Sequence, residues 1–355
     1  VEHEVSVVSA RGVAAAIDPD RFETVPLGIC GNGRWLGPAE SARVLRSNAK
    51  RVEAGDSDGS RVVVDPGFGG LLMATPGSDA TPVPIDVVFS VVHGWGGEDG
   101  RIQGLLELAG IPCVGAGVLG SAVGMDKQVA KALFAERGLP VGPWCSVRRG
   151  AWVRDRKAEE ARLVSALGLP LFVKPANGGS SVGISKVRTA AELPAAMELA
   201  FSLDGKIVVE KGLEAREVEC AVLGNDDPQA SIPGEIVPSG EFYDYASKYE
   251  NGNSKLMIPA PLAAGAADEI RALAIRAFQA LELSGMARVD FFVEKETGRV
   301  FLNEVNTLPG FTPISMYPKL WEATGLSYRE LLTRLIDLAR ERGVQERERA
   351  RRREA

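Results

Sequence analysis

The sequence predicts an α/β protein in which a parallel-sheet domain is followed by two further strand-and-helix units. Three observations carry that prediction. Through the first third, short apolar runs alternate with helical patterns, the rhythm of βαβ units. A turn-rich segment, "GLPVGPW" (138–144), then leads into a second alternation of strands and helices, and a third begins near residue 213. The chain has 355 residues, 45% hydrophobic and 25% charged, enough for two or three domains and a large core.

Residues 1–120 read as the first domain. Its opening, "VEHEVSVVSA", has a helical pattern, whereas a parallel α/β domain opens on a strand. The expectation is that the first strand lies outside this sequence. "FETVPLGI" (22–29) and "DVVFSVVH" (86–93) read as strands, and the polar "EAGDSDGSR" (53–61) as an exposed loop. "IQGLLELAG" (102–110) reads as a helix closed by Gly110, with "IPCVG" as the next strand. Residues 121–212 form the second unit. A helix from Ser121 to Arg137, stopped by Gly138, opens it. The runs "PLFVKPA", "GISKV" and "KIVVEKGL" follow as strands, with "AELPAAMELAFSL" as a helix. Residues 213–345 hold the strands "EVECAVLG", "SIPGEIVP", "ARVDFFVE" and "RVFLNEVN", with helices over 266–283 and 327–343. The charged run 346–355 reads as a solvated helix tail.

Composition removes several function classes. The net charge of −6 points away from nucleic acid and anionic membrane as partners. No apolar run approaches the ~20 residues of a membrane span. Cys30, Cys113, Cys145 and Cys220 are scattered and form no C-x-x-C pair, so neither a zinc site nor a disulfide framework is expected. A reducing cytoplasm is the simplest setting.

Four motifs carry chemistry. "GAGVLG" (Gly115, Gly117, Gly120) has the literal form of a dinucleotide fingerprint. The acidic residue expected about 20 positions on is missing, and Pro140 stands there. A tight turn before a helix is the better reading. The hairpin "ARVDFFVEKETGRVFLNEVN" (287–306) is more informative. A register symmetric about Thr297 sets Asp290 opposite Glu304, Arg288 opposite Asn306 and Phe292 opposite Leu302. Side chains alternate along a strand, so these six share one face. Val289, Phe291, Val293, Phe301 and Val305 take the core face. Opposed carboxylates repel, and a hard divalent cation such as Mg²⁺ removes the conflict. "HGWGGEDG" (93–100) places His93 at a C-terminal strand end, where α/β ligands bind. "KPANGGSSVGISK" (174–186) puts Lys174 before its glycines, the reverse of a P-loop. The long polar segment "EFYDYASKYENGNSK" (241–255) has the character of a lid.

Together these stretches resemble the D-alanine–D-alanine ligase family of the ATP-grasp superfamily. The resemblance runs in order through "EHEVS", "HGWGGEDG", "IQGLLELAGIPCVG", "GMDK", "KPANGGSSVGISKV", "EFYDYASKY", "RVDFF" and "NEVNTLPGFT". It implies an N-terminal parallel-sheet (pre-ATP-grasp) domain and a two-subdomain ATP-grasp fold holding ATP between two antiparallel sheets. By that resemblance Lys127, Lys174 and the lid residue Lys248 meet ATP phosphates. Glu210, Lys211 and Leu213 belong to the strand that reads adenine, Glu217 takes the ribose, and Phe292 joins the ATP site. Asp290, Glu304 and Asn306 match the ligands of two Mg²⁺ ions, with Mn²⁺ as an alternative. Glu2 holds the ammonium of the first D-alanine, with Ser180 and Tyr249 as its partners and His93 nearby. Arg288 and the N–H of Gly310 form the oxyanion site, and Ser315 receives the second substrate's carboxylate. The family also implies D-alanine and ATP as partners, a homodimer, and a role in peptidoglycan precursor synthesis. The segment Ala176-Asn177-Gly178 is less charged than its family counterpart.

Three rivals remain open at this stage. A D-alanine–D-lactate ligase commonly carries histidine at the Tyr249 position, so "SKY" favours the dipeptide. A non-catalytic ATP-binding relative is opposed by the intact Arg288, Asp290, Glu304 and Asn306. An NAD oxidoreductase rests on "GAGVLG" alone.

Overall fold

The computed structural model describes residues 2–53, 61–65, 70–74, 79, 81–237, 255–312 and 314–354. The first third holds α1 (Glu2–Ala16), α2 (Pro38–Arg46), β1 (Arg61–Asp65), β2 (Gly70–Ala74), β3 (Thr81–Val83) and α3 (Arg101–Leu108). Next come α4 (Val118–Met125), α5 (Lys127–Glu136), β4 (Trp144–Arg148), α6 (Arg149–Arg154), α7 (Arg156–Leu167), β5 (Leu171–Pro175), β6 (Ser185–Val187), α8 (Leu193–Phe201) and β7 (Lys206–Lys211). The last part holds β8 (Ala215–Gly224), β9 (Gln229–Ala230), β10 (Gly234–Val237), β11 (Lys255–Met257), α9 (Ala266–Ala280), β12 (Gly285–Glu294), β13 (Val300–Asn306), α10 (Met316–Ala323) and α11 (Tyr328–Glu354).

Two antiparallel sheets frame the site. One has the order β4-β7-β5-β6 and the other β11-β10-β8-β12-β13, with β9 on β8. The first packs on α7 and α8 through Leu163, Leu171, Val173, Met197 and Val209. The second buries Val218, Cys220, Val289 and Phe291 against Ile270, Ala274 and Phe278 of α9. Period-two alternation sends the polar residues of β8 and β12 to the opposite face, where the site lies. Phe311 stacks edge-on against Phe89 at 5.4 Å and packs on Tyr317, joining the first third to the last. Among the described residues no helix is long and apolar enough to cross a membrane.

Several local expectations change. Residues 22–28 run without a ladder, and Pro26, which has no N–H to give, stands among them. The 86–93 segment meets 111–115 only at one parallel bridge, Val88 with Cys113. Pro112 explains its brevity: its carbonyl accepts from Val88 N, but it has no N–H to extend the pairing. Among the described residues the regular strands of the first third are the antiparallel β1-β2-β3. The expected 121–137 helix is two helices broken at Asp126, whose carboxylate accepts from Gln128 N and Val129 N at 3.1 Å and so starts α5 afresh. The tail is helical to Glu354, with 346–349 exposed. Most of the 53–61 loop lies outside the described residues.

"GAGVLG" is a close-packing turn. Gly115 has φ +93°, and Gly285 packs directly on it. A Cβ at Gly120 would lie 2.8 Å from Leu283 Cδ2 and 3.0 Å from Glu282 O. Arg342 of α11 donates to the carbonyls of Cys113 and Gly115. These glycines serve contact between chain segments rather than a dinucleotide.

Candidate active site

The hairpin β12–β13 lays down the charged floor of the site. Arg288 pairs with Asn306 and Asp290 with Glu304, as the sequence predicts. Beyond them the register slips by one residue, so Phe291 faces Leu302 and Phe292 faces Phe301. The expected Phe292–Leu302 pair therefore does not form. Leu302, 1% exposed, takes the core position assigned to Phe301. Asn303 is the extra residue, a β-bulge that bends the strand beside Glu304.

Arg288 is partly buried and bidentate to Asp290, with Nε to Oδ1 and Nη2 to Oδ2 both 2.8 Å. Its Nε also lies 2.9 Å from Glu219 Oε2. Burial alone would weaken the guanidinium, but Asp290 and Glu219 outweigh it and hold its pKa well above the ordinary value. Asn306 Nδ2 donates to Asp290 Oδ2 at 2.9 Å.

The helix break at Asp126 presents Lys127 to this floor. Lys127 N donates to Ala176 O, and its Nζ donates to Gly178 O at 2.6 Å and lies 4.0 Å from Glu304. Lys174 closes β5, and its Nζ donates to Glu210 Oε2 of β7 at 2.8 Å. The other oxygen of Glu210 is 3.1 Å from Lys131 Nζ. Burial disfavours both charges. Lys131 and Lys174 nevertheless hold the Glu210 carboxyl down at about 2, and Glu210 and Glu304 raise the pKa of Lys174. The Glu210 carboxylate is thus committed within the protein. Glu210, Lys211, Leu213 and Phe292 line one small groove beside Asn303. Glu217 sits on β8 opposite Phe292.

Glu2 reaches the same region from the first turn of α1. Ser180 Oγ donates to its Oε1 at 3.0 Å. Ser180 and Ser181 have φ of 51° and 59°, a left-handed geometry that non-glycine residues seldom adopt and that clusters at functional sites. A Cβ at Gly179 would stand 2.7 Å from Glu2 Oε1, and one at Gly94 would overlap the same carboxylate. Burial and the neighbouring Glu98 push the Glu2 carboxyl up, against the pull of Ser180 and His93. His93 is held on both ring nitrogens, 3.1 Å from Ser9 Oγ and 3.3 Å from Glu98 Oε1. At the far end of the sequence, Ser315 Oγ accepts from Thr312 N at 3.0 Å, and a Cβ at Gly310 would lie 2.7 Å from it.

One cavity of about 370 Å³ gathers Glu2, His93, Lys127, Ser180, Arg288, Glu304, Asn306, Gly310 and Ser315. Lys248 and Tyr249 lie outside the described residues. Four charged residues escaped the sequence reading. Glu98, Glu219 and Lys319 line the cavity, and Lys131 lines both cavity and groove. A signal existed for two of them. Glu219 follows Glu217 by two and so shares its strand face, and Lys131 follows Lys127 by four, on the same helix face.

Two antiparallel sheets, one carrying Lys174 and the other the opposed carboxylates Asp290 and Glu304, are the architecture of the ATP-grasp class. Family models described as D-ala D-ala ligase N-terminus and C-terminus match residues 1–116 and 133–337. A D-alanine–D-alanine ligase of Heliobacterium modesticaldum is 51% identical over 339 residues, 95% of this chain and 91% of that protein. The D-alanine–D-alanine ligase A of Chromobacterium violaceum is also 51% identical, over 96% of this chain and 93% of its own. The solved D-alanine–D-alanine ligase of Coxiella burnetii superposes with a TM-score of 0.84 at 35% identity, covering 100% of this chain and 96% of that one. The VanG D-Ala:D-Ser ligase of Enterococcus faecalis superposes at 0.82 with 37% identity, covering 96% of each. The chain belongs to the D-alanine–D-alanine ligase family.

Proposed function

We propose that this chain joins two D-alanine molecules into D-alanyl-D-alanine at the expense of ATP, through an acyl phosphate, for peptidoglycan precursor synthesis. The observation that carries the reading is the single cavity shared by Glu2, Ser180, Arg288 and Glu304. Glu2 is a carboxylate short of a cation, because its carboxylate neighbour Glu98 is occupied with His93 and the N–H of Gly94. An α-ammonium supplies that cation, and this fixes the first D-alanine. Its carboxylate then attacks the γ-phosphate of ATP, releasing ADP and leaving an acyl phosphate. Lys127 and Lys174 neutralise and place the phosphates; catalysis of this kind is mostly positioning and charge compensation. The neutral amine of the second D-alanine, its carboxylate at Ser315, attacks the acyl carbon. Arg288 and the N–H of Gly310 stabilise the tetrahedral oxyanion, and phosphate departs. Glu210, Lys211, Leu213 and Phe292 bind adenine, and Glu217 the ribose. Lys248 and Tyr249 act from the lid, on a phosphate and beside Glu2 respectively.

The oxygens of Asp290, Glu304 and Asn306 fit Mg²⁺ or Mn²⁺, because opposed carboxylates and an amide suit a hard cation. Among the described residues no three His, Cys, Asp or Glu side chains form a metal site by themselves. The Asn306 amide and triphosphate oxygens would therefore complete the ligand set. Bound there, the cation would offset phosphate charge. The chain acts as a cytoplasmic homodimer, with domain limits at 120, 212 and 345.

The test is product identity. Purified protein with ATP, Mg²⁺ and D-alanine, in competition with D-serine and D-lactate, is assayed by mass spectrometry across pH. D-alanyl-D-alanine is the expected product. A depsipeptide dominating at neutral pH, a D-alanyl-D-serine product, or ATP binding without phosphate release would each overturn the reading.

A further inference from the structure

Lys131 is 4% exposed, yet it lines both the large cavity and the adenine groove. Its ammonium has two partners. One is the carbonyl of Asn303, the bulged residue next to Glu304, at 3.0 Å. The other is Glu210 Oε1 at 3.1 Å, and the second oxygen of that carboxylate is 2.8 Å from Lys174 Nζ. Two buried cations therefore share the Glu210 carboxylate, while Glu304 and Glu217 act on Lys174 from beyond it. The Asn303 carbonyl holds Lys131 in place for this sharing.

The arrangement bears on Lys174. A lysine paired one-to-one with a buried carboxylate is neutralised by it and gains little from an approaching phosphate. Dividing that carboxylate with a second lysine leaves Glu210 compensating Lys174 less completely. We propose that Lys131 is a positioning residue for nucleotide binding, which keeps Lys174 available to a phosphate by sharing the Glu210 carboxylate. The proposal rests on the ligase reading above, in which Lys174 meets ATP. Lys131 acts here through Glu210 and not by contact with the nucleotide.

The role makes a specific thermodynamic claim, because residues acting through a shared partner are coupled rather than additive. Calorimetry with Mg²⁺–ATP and with adenosine is run on the wild type, K131M, E210Q and the double variant. K131M is expected to weaken ATP about tenfold or more and adenosine less than about twofold. In the E210Q background the same substitution is expected to weaken ATP less than about threefold. K131R, which keeps the charge, should bind ATP near the wild-type level. An equal loss in both backgrounds, an equal loss for adenosine and ATP, or no loss at all would each overturn the proposal. Should K131M alone fail to fold, the double variant against E210Q decides: matched ATP affinities support the proposal and a large gap overturns it. A wild type that binds ATP no better than adenosine would overturn the phosphate role of Lys174 first. Normal wild-type binding with a silent K131M would overturn only the role of Lys131.

Discussion

Gly94→Ala is a sharp probe of the first-substrate site, because the structure states what the added methyl would strike. A Cβ at position 94 would lie 2.5 Å from Glu2 Cδ and overlap its carboxylate. Carbon atoms in contact stand about 3.5 Å apart, so the carboxylate has to withdraw by about 1 Å. A flexible side chain can do that, and the fold absorbs the change. The backbone cost is separate: Gly94 has φ +80°, a left-handed setting that costs an alanine about 1–2 kcal/mol. Melting should fall by only a few degrees. Binding suffers more. Withdrawal breaks the 3.0 Å bond from Ser180 and displaces the charge proposed to meet the ammonium. A charge-assisted hydrogen bond is worth about 1.5–3 kcal/mol, or roughly 10- to 100-fold in affinity. The assay is D-alanine titration by coupled ADP release and by calorimetry with a non-hydrolysable ATP analogue. The KM for D-alanine should rise by that factor and the KM for ATP should hold. In a Glu2→Ala background the same substitution should add little. Wild-type D-alanine affinity in a folded Gly94→Ala protein would refute both the placement of Glu2 and its role.

Two further outcomes follow from the site. Glu304→Gln should lower turnover by about 100-fold or more, since even outer partners of a metal are worth 10–100-fold, and should raise the Mg²⁺ concentration needed for half-activity. Its melting temperature should stay close to wild type, and an unchanged Mg²⁺ midpoint would count against the metal assignment. Glu2 predicts opposite trends for binding and stability with pH. Burial and Glu98 raise its pKa, so D-alanine affinity should fall on the acid side at a higher pH than an ordinary glutamate would give. The folded state holds that proton more tightly than the unfolded chain. Ionised Glu2 therefore costs stability above its folded pKa and none below the unfolded value. Glu2→Gln should be more stable than wild type at neutral pH, with the gap closing in acid. Parallel melting curves across pH would contradict this.

The hairpin shows how much of the site was legible in the sequence, and where legibility ends. Alternation placed Arg288, Asp290, Glu304 and Asn306 on one face, and the structure pairs them so. Directly beyond Asp290 and Glu304 the register slips, because one bulged residue at Asn303 shifts the β13 partners by one and leaves no mark in composition. Phe291 and Val293 keep their core positions. The helix over 121–137 failed for a different reason. Its apolar period continues through the break, and only Asp126, an N-cap type just before Lys127, signals it. That break is functional in effect, since it brings Lys127 N onto Ala176 O and seats helix α5 against the glycine loop. The strands of the first third were misjudged where proline limits pairing, at Pro26 and Pro112. Contacts between distant segments, such as Ser9 with His93 or Lys131 with Glu210, are tertiary facts that no local pattern encodes.

Charge balance links these pieces. Among the described residues the cavity is lined by the cations Lys127, Lys131, Arg288 and Lys319 and by the carboxylates Glu2, Glu98, Glu219 and Glu304. The lining is neutral, and two of its four cations are paired with carboxylates at close range: Arg288 to Asp290 and Glu219, Lys131 to Glu210. A triphosphate entering such a site cannot be neutralised by these lysines and arginines alone. Opposed carboxylates at Asp290 and Glu304 would even repel it. The arrangement becomes favourable when the nucleotide arrives with divalent cations, because the same two carboxylates then attract what the phosphates also attract. A protein built to bind a bare anion would have spent this floor on lysine and arginine. If Asp290 and Glu304 hold the proposed cations, this floor would favour the metal complex of ATP over the free nucleotide. Titration with ATP in excess over Mg²⁺ should accordingly give binding that tracks the Mg²⁺–ATP concentration, and tight binding of metal-free ATP would break the argument.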